Sequence, residues 1–320
     1  MEWNILSVIG LDIGGTKCSV SRADQEGKLL EKKSFFTSDA KTTLDELITT
    51  VASMDVGPSP VFGISCGGPL DSKRGLILSP PNLPGWNEIP IVKLLADRFG
   101  GKAFLMNDAN AGVLAEWKFG AARGHKNVIF LTHGTGMGAG IVLNNRLYEG
   151  TSGMAGEVGH IRLEPDGPVG YNKAGSFEGF CGGAGIARLA QQKARELNGK
   201  VSFNKGRIDE IATKEIAQAA KEGDAIAREI FTLSGHYLGM ALSILIDILN
   251  PEIIVLGTLF VRCRDLLEPS MMKALQRESL SHSLSSCRIV PAGLGEQIGD
   301  YAAVSVALYK SRCISTMEPI

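Results

Sequence analysis

The spacing of apolar residues changes along the first hundred residues, and these changes predict an order of strands and helices. An apolar, β-branched run from Leu6 to Leu11 precedes the stretches "CSVSRAD" and "LLEKKSF", which are separated by the turn "QEGK". Such short β-type runs around a turn predict three antiparallel strands. Helical spacing from Leu44 to Val51, a buried strand "VFGIS", a helix from Ile91 to Phe99 and a strand "AFLM" follow. The pattern predicts a mixed α/β domain.

The same layout recurs from Val128 to Leu147. There "VIFLT", the glycine turn "HGTGMG", "AGIVL", the turn "NNR" and "LYEG" repeat the strand order of the first domain. Because a repeated layout indicates that one structural unit occurs twice, a duplicated fold is predicted. A Gly/Pro-rich region, helices up to Asn250, a buried strand "EIIVLG" and a small-residue helix from Ile298 complete the chain. We expect one domain of residues 1–120 plus about 300–320, and a second domain of residues 121–299.

Composition and charge exclude several classes of partner. The chain has 320 residues, 44% of them hydrophobic, which is ample for two buried cores. Its 33 lysines and arginines balance 34 aspartates and glutamates, so it has no basic footprint for nucleic acid or an anionic membrane. The start has no basic region typical of a signal peptide, and we expect the apolar stretch Leu238 to Leu249 to be too short and too polar to span a bilayer. We therefore expect a cytoplasmic protein whose partners are small molecules, with no nucleic acid and no membrane among them.

The cysteines give no sign of a disulfide framework or a zinc ribbon. All six are widely scattered, and none stands at CxxC spacing. We expect most of them to be small buried hydrophobic residues.

Two glycine-rich turns are the first candidates for chemistry. They are Asp12-Ile13-Gly14-Gly15-Thr16 and Gly134-Thr135-Gly136-Met137-Gly138, and each leads into a strand, so neither is a Walker A loop or a dinucleotide-binding GxGxxG. Glycines let N–H groups approach an anion closely, and a threonine hydroxyl adds a donor. The alternative is that each is an ordinary tight hairpin turn. The duplication, and the ability of Asp12 to recruit Mg²⁺, favour phosphate binding.

A second candidate is Asp108 in "FLMNDANAG", where a predicted strand ends and a helix from Ala109 to Phe119 begins. One interpretation is a helix N-cap, a role that Asn107 or Asn110 would equally fill. The other is a catalytic base, because α/β sheets place ligands at strand ends and a helix N-terminus favours the ionised carboxylate. The two roles are compatible.

A third candidate is the glycine-rich stretch "GMAGEVGHIRLEPDGPVGYNKAGSFEG", which holds Glu157, His160 and Glu178. Charged residues among so many glycines are either loop decoration or a set of donors and acceptors. Such a set suits recognition of a polyhydroxylated ligand.

These motifs together resemble the ROK family of sugar kinases and sugar-responsive repressors, within the actin and hexokinase superfamily. The resemblance covers nearly the whole chain, from "LDIGGTK" through "GISCGGPLD", "PNLPGW", "NDANAG", "LTHGTGMGAGI", "GMAGEVGHI", "GSFEG" and "NPEIIVLG" to "GEQIGDYAAV". It implies an α/β, two-lobed actin/hexokinase-like fold, a duplicated ribonuclease H-like unit with an active-site cleft between the lobes. It also suggests a homodimer.

The resemblance implies roles for residues at matching positions. Asp108 would be the catalytic base, and Asp12 would face Mg²⁺, through water. The residues implied for ATP are Asp12, Gly14, Gly15, Thr16, Lys17, Gly134, Thr135, Gly136 and Gly257. The residues implied for the sugar are Gly68, Asn82, Asn107, Asp108, Glu157, His160 and Glu178.

The sequence also departs from the family. The family commonly builds a zinc site from the histidine of "GEVGH" and three cysteines ahead of the following glutamate, but no cysteine lies between His160 and Glu178. Structural zinc needs four N or S ligands, so we expect no such zinc and expect packing to order the loop instead. The glycine cluster near the adenosine is reduced to Gly257-Thr258. His133 stands where the family tends to have an apolar or small residue, and the sequence offers no reason for it.

The expected activity is that of a glucokinase-like enzyme, which transfers the γ-phosphate of MgATP to a hydroxyl of a hexose or N-acetylhexosamine, with C6 as the expected position. One alternative is a regulator that binds sugar without phosphorylating it. The family's repressors carry a DNA-binding helix-turn-helix ahead of the first turn, and the early position of Asp12 leads us to expect none here. Another alternative is an ATPase that needs no sugar. The sequence does not name the sugar.

Overall fold

The structure is a computed structural model that describes residues 7–315, with side chains up to residue 312. The predicted strand start at Leu6, the segment "MEWNIL" and the side chain of Cys313 lie outside this description. The chain divides into two compact units, Met1–Arg123 with Glu296–Ile320, and Gly124–Gly295.

The first unit is built on a five-stranded mixed sheet. Its strands are β1 (Val8–Ile13), β2 (Lys17–Ala23), β3 (Leu29–Phe36), β4 (Val61–Cys66), the short hairpin β5 (Leu70–Asp71) and β6 (Leu76–Ile77), and β7 (Lys102–Asn107). Its helices are α1 (Ala40–Ala52), α2 (Ile91–Phe99), α3 (Asp108–Lys118) and the C-terminal α10 (Ile298–Ser315). The main sheet has the order β3-β2-β1-β4-β7. The predicted antiparallel meander β1-β2-β3 is confirmed, and β4 and β7 run parallel to β1.

Helix α10 lies directly against β1 and β4, because both strands carry a glycine where the helix crosses. A Cβ atom on Gly10 would lie 2.9 Å from the backbone nitrogen of Val304. One on Gly63 would lie 2.0 Å from the carbonyl oxygen of Ala303. No side chain fits at either position, so these glycines set the distance between the helix and the sheet.

The second unit repeats this plan. Its strands are β8 (Val128–Leu131), β9 (Ala139–Leu143), β10 (Arg146–Leu147), β11 (Val169–Gly170), β12 (Lys173–Ala174), β13 (Ile253–Leu256) and β14 (Arg288–Pro291). Its helices are α4 (Phe177–Cys181), α5 (Gly183–Glu196), α6 (Thr213–Lys221), α7 (Ala225–Leu249), α8 (Thr258–Glu278) and α9 (Ser281–Ser286). The main sheet has the order β10-β9-β8-β13-β14, which matches the first sheet strand for strand. The predicted duplication is therefore confirmed.

Helix α7 corrects one expectation. Within the described residues it is long and apolar enough to cross a membrane, with 25 residues and a mean hydropathy of 1.4 over its most apolar window. The stretch Leu238 to Leu249, expected to be too short to span a bilayer, is only the second half of this helix. Half of that window is buried, and Leu238, Leu242 and Ile246 are fully buried in the core of the second unit. It is a core helix.

The described cysteines are free, as expected. Cys18, Cys66, Cys181 and Cys263 are buried, whereas Cys287 is half-buried. Burial raises the pKa of the Cys66 and Cys181 thiols well above the usual range. Thiols of this kind stay protonated and act as small hydrophobic groups.

Candidate active site

Three parallel strand ends bring the candidate residues of the first unit together. In the sheet register Asp12 of β1 pairs with Ser65 of β4, and Cys66 at the end of β4 pairs with Asn107 at the end of β7. The carboxyl ends of parallel strands form one edge of a sheet, where α/β proteins place their ligands. Asp12, the Gly68 loop and Asp108 therefore lie at the ends of neighbouring strands.

The first glycine turn leaves two N–H groups unpaired. The Gly14 N–H donates to the Lys17 carbonyl at 3.2 Å, and the Thr37 hydroxyl donates to the Gly14 carbonyl at 2.6 Å. The N–H groups of Gly15 and Thr16 have no partner among the residues that the structure describes, and both residues are exposed. Backbone N–H groups presented in this way are suited to bind an anion.

Asn82 lies beside this turn. A Cβ atom on Gly15 would lie 2.5 Å from the Asn82 carbonyl oxygen, so only glycine allows the two segments to touch. The side of the turn predicted to hold ATP is thus next to a residue predicted to hold the sugar.

Asn107 and Asp108 both act on the first turn of α3. Asn107 is the N-cap, and its Oδ1 accepts a hydrogen bond from the Ala109 N–H at 2.9 Å. Asp108 is the first helical residue, and its Oδ1 accepts from the same N–H at 2.9 Å. The cap role considered for Asp108 therefore belongs to Asn107. The glycine loop after β4 lies close by, since a Cβ on Gly68 would be 3.6 Å from the Asn107 Nδ2.

The electrostatic surroundings of Asp108 differ from the sequence expectation. Desolvation raises the pKa of the Asp108 carboxyl above its ordinary value, and the hydrogen bond from the Ala109 N–H opposes this. The helix N-terminus, which the sequence shows, favours the ionised form, whereas desolvation acts in the opposite direction and is the larger effect. A raised pKa brings a carboxylate base closer to working pH, which suits proton transfer.

Asp12 has two acidic neighbours, Asp300 and Asp108, and Asp300 forms an ion pair with a lysine. Asp300, which is 3% exposed, pairs with Lys32 and accepts hydrogen bonds from the hydroxyls of Ser19 at 2.8 Å and Ser21 at 3.2 Å. Desolvation, with repulsion from Asp300 and Asp108, raises the pKa of the Asp12 carboxyl to about 7. The ion pair of Asp300 with Lys32 was not predicted. Its one sign in the sequence is that Asp300 is the single acidic residue of the small-residue stretch "GDYAAV".

The donor set of this edge suits Mg²⁺ only together with a nucleotide. Over residues 7–315 there is no group of three or more His, Cys, Asp or Glu side chains arranged to hold a metal. Mg²⁺ typically takes one or two carboxylates together with phosphate oxygens and waters, and Asp12 fits that use.

The second glycine turn presents the same arrangement as the first. The Gly134 N–H donates within the turn to the Gly136 carbonyl at 3.1 Å. The Gly134 and Thr135 carbonyls accept from the N–H groups of Gly183 and Ala184, at the start of α5, at 2.9 and 3.1 Å. In the described part of the chain the N–H groups of Thr135 and Gly136 have no partner. The turn is held through its carbonyls and presents its N–H groups.

Glu178 lies against this second turn. Its Oε2 accepts a hydrogen bond from the Met137 N–H at 3.0 Å, and a Cβ on Gly136 would lie 2.7 Å from the same oxygen. The segment that carries Glu157 and His160 is adjacent, because a Cβ on Gly159 would lie 2.4 Å from the Met137 carbonyl. Glu178 therefore contacts a predicted phosphate turn, and the backbone between Glu157 and His160 lies beside the same turn.

Gly257 lies at the base of the second turn, between β13 and α8. Its N–H donates to the Leu131 carbonyl at 2.9 Å. A Cβ on Gly257 would lie 2.1 Å from the Thr132 carbonyl, so a side chain would push α8 away from the turn. A contact of Gly257 with adenosine stays a prediction.

Packing and hydrogen bonds hold the segment between His160 and Glu178, where we expect no zinc. The hairpin of β11 and β12 brings the Tyr171 ring 5.4 Å from the His160 ring, edge to face. Lys173 Nζ donates to the His160 carbonyl at 2.5 Å. Ser176 caps α4 by accepting from the Gly179 N–H at 3.1 Å.

Zinc chelation is expected to leave the stability of the protein unchanged. Thermal unfolding with and without 1,10-phenanthroline should give the same melting temperature, since no cysteine between His160 and Glu178 is available to complete a four-ligand zinc site. Lys173→Met tests the hydrogen bonds of the segment instead of a metal. Loss of the hydrogen bond from Lys173 to the His160 carbonyl should lower the free energy of unfolding by about 1 kcal/mol. A melting temperature that falls with the chelator and recovers with added zinc would contradict this prediction.

His133 has a structural role that the sequence did not reveal. Its backbone is left-handed, with φ of 39°. Its carbonyl accepts a hydrogen bond from the Leu259 N–H at 2.8 Å, which joins the second turn to α8. The ring is fully buried, and its Nε2 lies 3.0 Å from the Cys181 carbonyl. Because a carbonyl only accepts, Nε2 carries the proton. The ring thus connects the second turn to α4, the helix of Glu178.

Burial lowers the pKa of His133 to about 4, and this predicts a pH dependence of stability. Between about pH 6.5 and 4 the unfolded chain binds a proton that the folded protein does not, so the free energy of unfolding falls as pH falls. From pH 7 to 5 this residue should account for a loss of roughly 2 kcal/mol. His133→Gln keeps a hydrogen-bond donor but does not titrate. In urea unfolding, its loss of free energy of unfolding from pH 7 to 5 should therefore be smaller than that of wild type by roughly 2 kcal/mol. Exposed His160→Gln should retain the wild-type loss.

Comparison with known proteins places this arrangement among related chains. The profile of the ROK family matches residues 8–309. The chain is 31% identical over 307 residues to a glucokinase of Thermotoga maritima, covering 94% of this chain and 97% of that one. It is similar in structure to a ROK glucokinase from Streptomyces griseus in complex with glucose and AMPPNP, with a TM-score of 0.77, 32% identity and coverage of 94% and 99%. It is also 25% identical to the xylose repressor of Bacillus subtilis over 297 residues, 90% of this chain and 73% of that protein.

Proposed function

We propose that this chain, which belongs to the ROK family, is a cytoplasmic ATP-dependent sugar kinase that phosphorylates a hexose or N-acetylhexosamine, with the C6 hydroxyl as the expected acceptor. The observation that carries the proposal is the pair of unpaired N–H groups that recurs in the two duplicated units. Gly15 with Thr16, and Thr135 with Gly136, present these groups on turns fixed through other atoms. Two anion-binding turns are suited to a polyphosphate. The glucokinase relatives support the same activity.

Each proposed role falls to a named group of this chain. MgATP, when bound, would supply the transferable phosphoryl group. The N–H groups of the two turns would donate to phosphate oxygens, and Asp12 would hold Mg²⁺. Asp108 accepts the proton of the attacking sugar hydroxyl. Catalysis then rests on alignment and on stabilising the developing charge. The residues proposed to bind sugar hydroxyls are Asn82, Asn107, Glu157, His160 and Glu178, with Gly68 beside them.

A sugar-sensing regulator is the second candidate. The observation that favours it is the similarity to the xylose repressor, which extends over most of this chain. In that case the same polar residues bind a sugar, and no phosphate is transferred.

The deciding experiment is ADP release from MgATP by the purified protein against a panel of hexoses and N-acetylhexosamines. We expect one sugar to stimulate release strongly over the no-sugar control, which establishes the kinase and identifies its substrate. Flat release, with sugar binding detected by calorimetry, would replace the kinase by the regulator. High release without sugar would replace it by an ATPase.

A further inference from the structure

A cavity lies within the first unit, between the C-terminal end of α3 and the facing side of α10. Its volume is about 380 Å³, within the range of roughly 300–1,000 Å³ that small-molecule sites occupy. Leu114 and Leu308 give it an apolar wall, and Trp117 and Tyr309 add two aromatic rings. It is separate from the strand ends that carry Asp12 and Asp108, since it lies at the opposite end of α3.

Two polar groups that line this cavity have no partner. The Lys118 ammonium nitrogen is buried, and no described residue forms a hydrogen bond with it. The same holds for the hydroxyl of Ser305, a residue that is 2% exposed. Buried polar groups are normally paired, and one left unpaired is destabilising. Two such groups lining one cavity indicate a missing acceptor.

The charges around the cavity show what kind of acceptor it is. Arg312 also lines the cavity. Desolvation of Lys118, together with the positive charge of Arg312, lowers the pKa of Lys118 to about 8. Asp24 and Glu26 act in the opposite direction but do not outweigh these effects. The Lys118 ammonium lies 5.0 Å from the centre of the Phe119 ring, a weaker interaction than a hydrogen-bonded anion. An anion would accept from Lys118 and Ser305 and reduce the repulsion between the two cations.

We propose that this cavity is a binding site for a small organic anion, a ring-sized apolar body that carries one carboxylate, sulfonate or phosphate group. The anionic group would accept hydrogen bonds from Lys118 and Ser305. The apolar body would lie against Trp117 and Tyr309. The proposal does not depend on the kinase activity.

The probe for the test is 8-anilinonaphthalene-1-sulfonate, whose fluorescence rises in an apolar site. We expect saturable binding of one probe per chain, unaffected by saturating MgATP. Lys118→Met keeps the apolar stem and removes the charge, so it should raise the dissociation constant at least tenfold, and Ser305→Ala should raise it by a smaller factor. Lys41→Met changes an exposed lysine of α1 and is the matched control, with unchanged binding.

Displacement tests the charge requirement separately. Phenyl phosphate or benzoate should displace the probe, whereas neutral phenol at the same concentration should not. Whichever anion displaces it better identifies the preferred anionic group. Binding that Lys118→Met leaves within twofold of wild type, or equal displacement by phenol, would overturn the proposal.

Discussion

Replacing Asp108 with asparagine is expected to lower sugar-dependent ADP release by at least about 10²-fold at saturating sugar and MgATP. The carboxylate is the proposed acceptor for the proton of the sugar hydroxyl, and an amide cannot take that proton. Asparagine has nearly the same shape, so binding of the sugar should change little. Steady-state kinetics on the sugar identified in the panel should therefore show a fall in kcat with a much smaller change in KM.

The structure makes this variant interpretable, because the N-cap of α3 is Asn107 and not Asp108. Asn107 caps α3, and its hydrogen bond to the Ala109 N–H persists in Asp108→Asn. The free energy of unfolding of Asp108→Asn should not fall below wild type at neutral pH, because desolvation raises the pKa of the Asp108 carboxyl and its ionisation opposes folding. Asn107→Ala, which removes the cap, should lose about 1 kcal/mol instead. Retained turnover in a folded Asp108→Asn protein would assign Asp108 to positioning rather than to proton transfer.

Local sequence patterns predicted the parts of the fold that short-range rules determine. The meander β1-β2-β3 and its copy β8-β9-β10 follow from short β-type runs around glycine turns, and helix α2 coincides with its predicted range Ile91–Phe99. In these segments the apolar face and the turn residues are set within about ten residues of one another. The glycine turns were identified as candidates for the same reason.

Long-range contacts account for what sequence reasoning missed. The pair of Lys32 and Asp300 joins residues more than 250 positions apart, and nothing local to either residue indicates it. Gly10 and Gly63 read as ordinary strand glycines until α10 is seen to lie on them. Desolvation raises the pKa of Asp108, whereas the sequence shows only the helix that follows it.

Asp12→Asn is expected to lower kcat by about 10²-fold and to change the response to magnesium. The pKa of Asp12 is raised to about 7, so below that pH Mg²⁺ must compete with a proton for this carboxylate. Between pH 8 and pH 6 the Mg²⁺ concentration for half-maximal activity should rise roughly tenfold in the wild type. Residual activity of Asp12→Asn should show no such shift. If the Mg²⁺ concentration for half-maximal activity of the wild type does not change between pH 8 and pH 6, Asp12 does not bind the metal.

The same substitution is expected to stabilise the metal-free protein. Because desolvation and the charges of Asp300 and Asp108 raise the pKa of Asp12 above its ordinary value, its ionisation opposes folding from about pH 4 upward, and the full effect is reached above about pH 7. Urea unfolding of Asp12→Asn at pH 8 without Mg²⁺ should show a gain of about 4 kcal/mol, which disappears near pH 4. Asp45→Asn, at an exposed position in α1, should show no gain. Asp12 would then weaken the fold when ionised and still be needed for activity. This combination is expected of a carboxylate that binds a cation. A variant that loses both stability and activity would instead make Asp12 a structural residue of the first sheet.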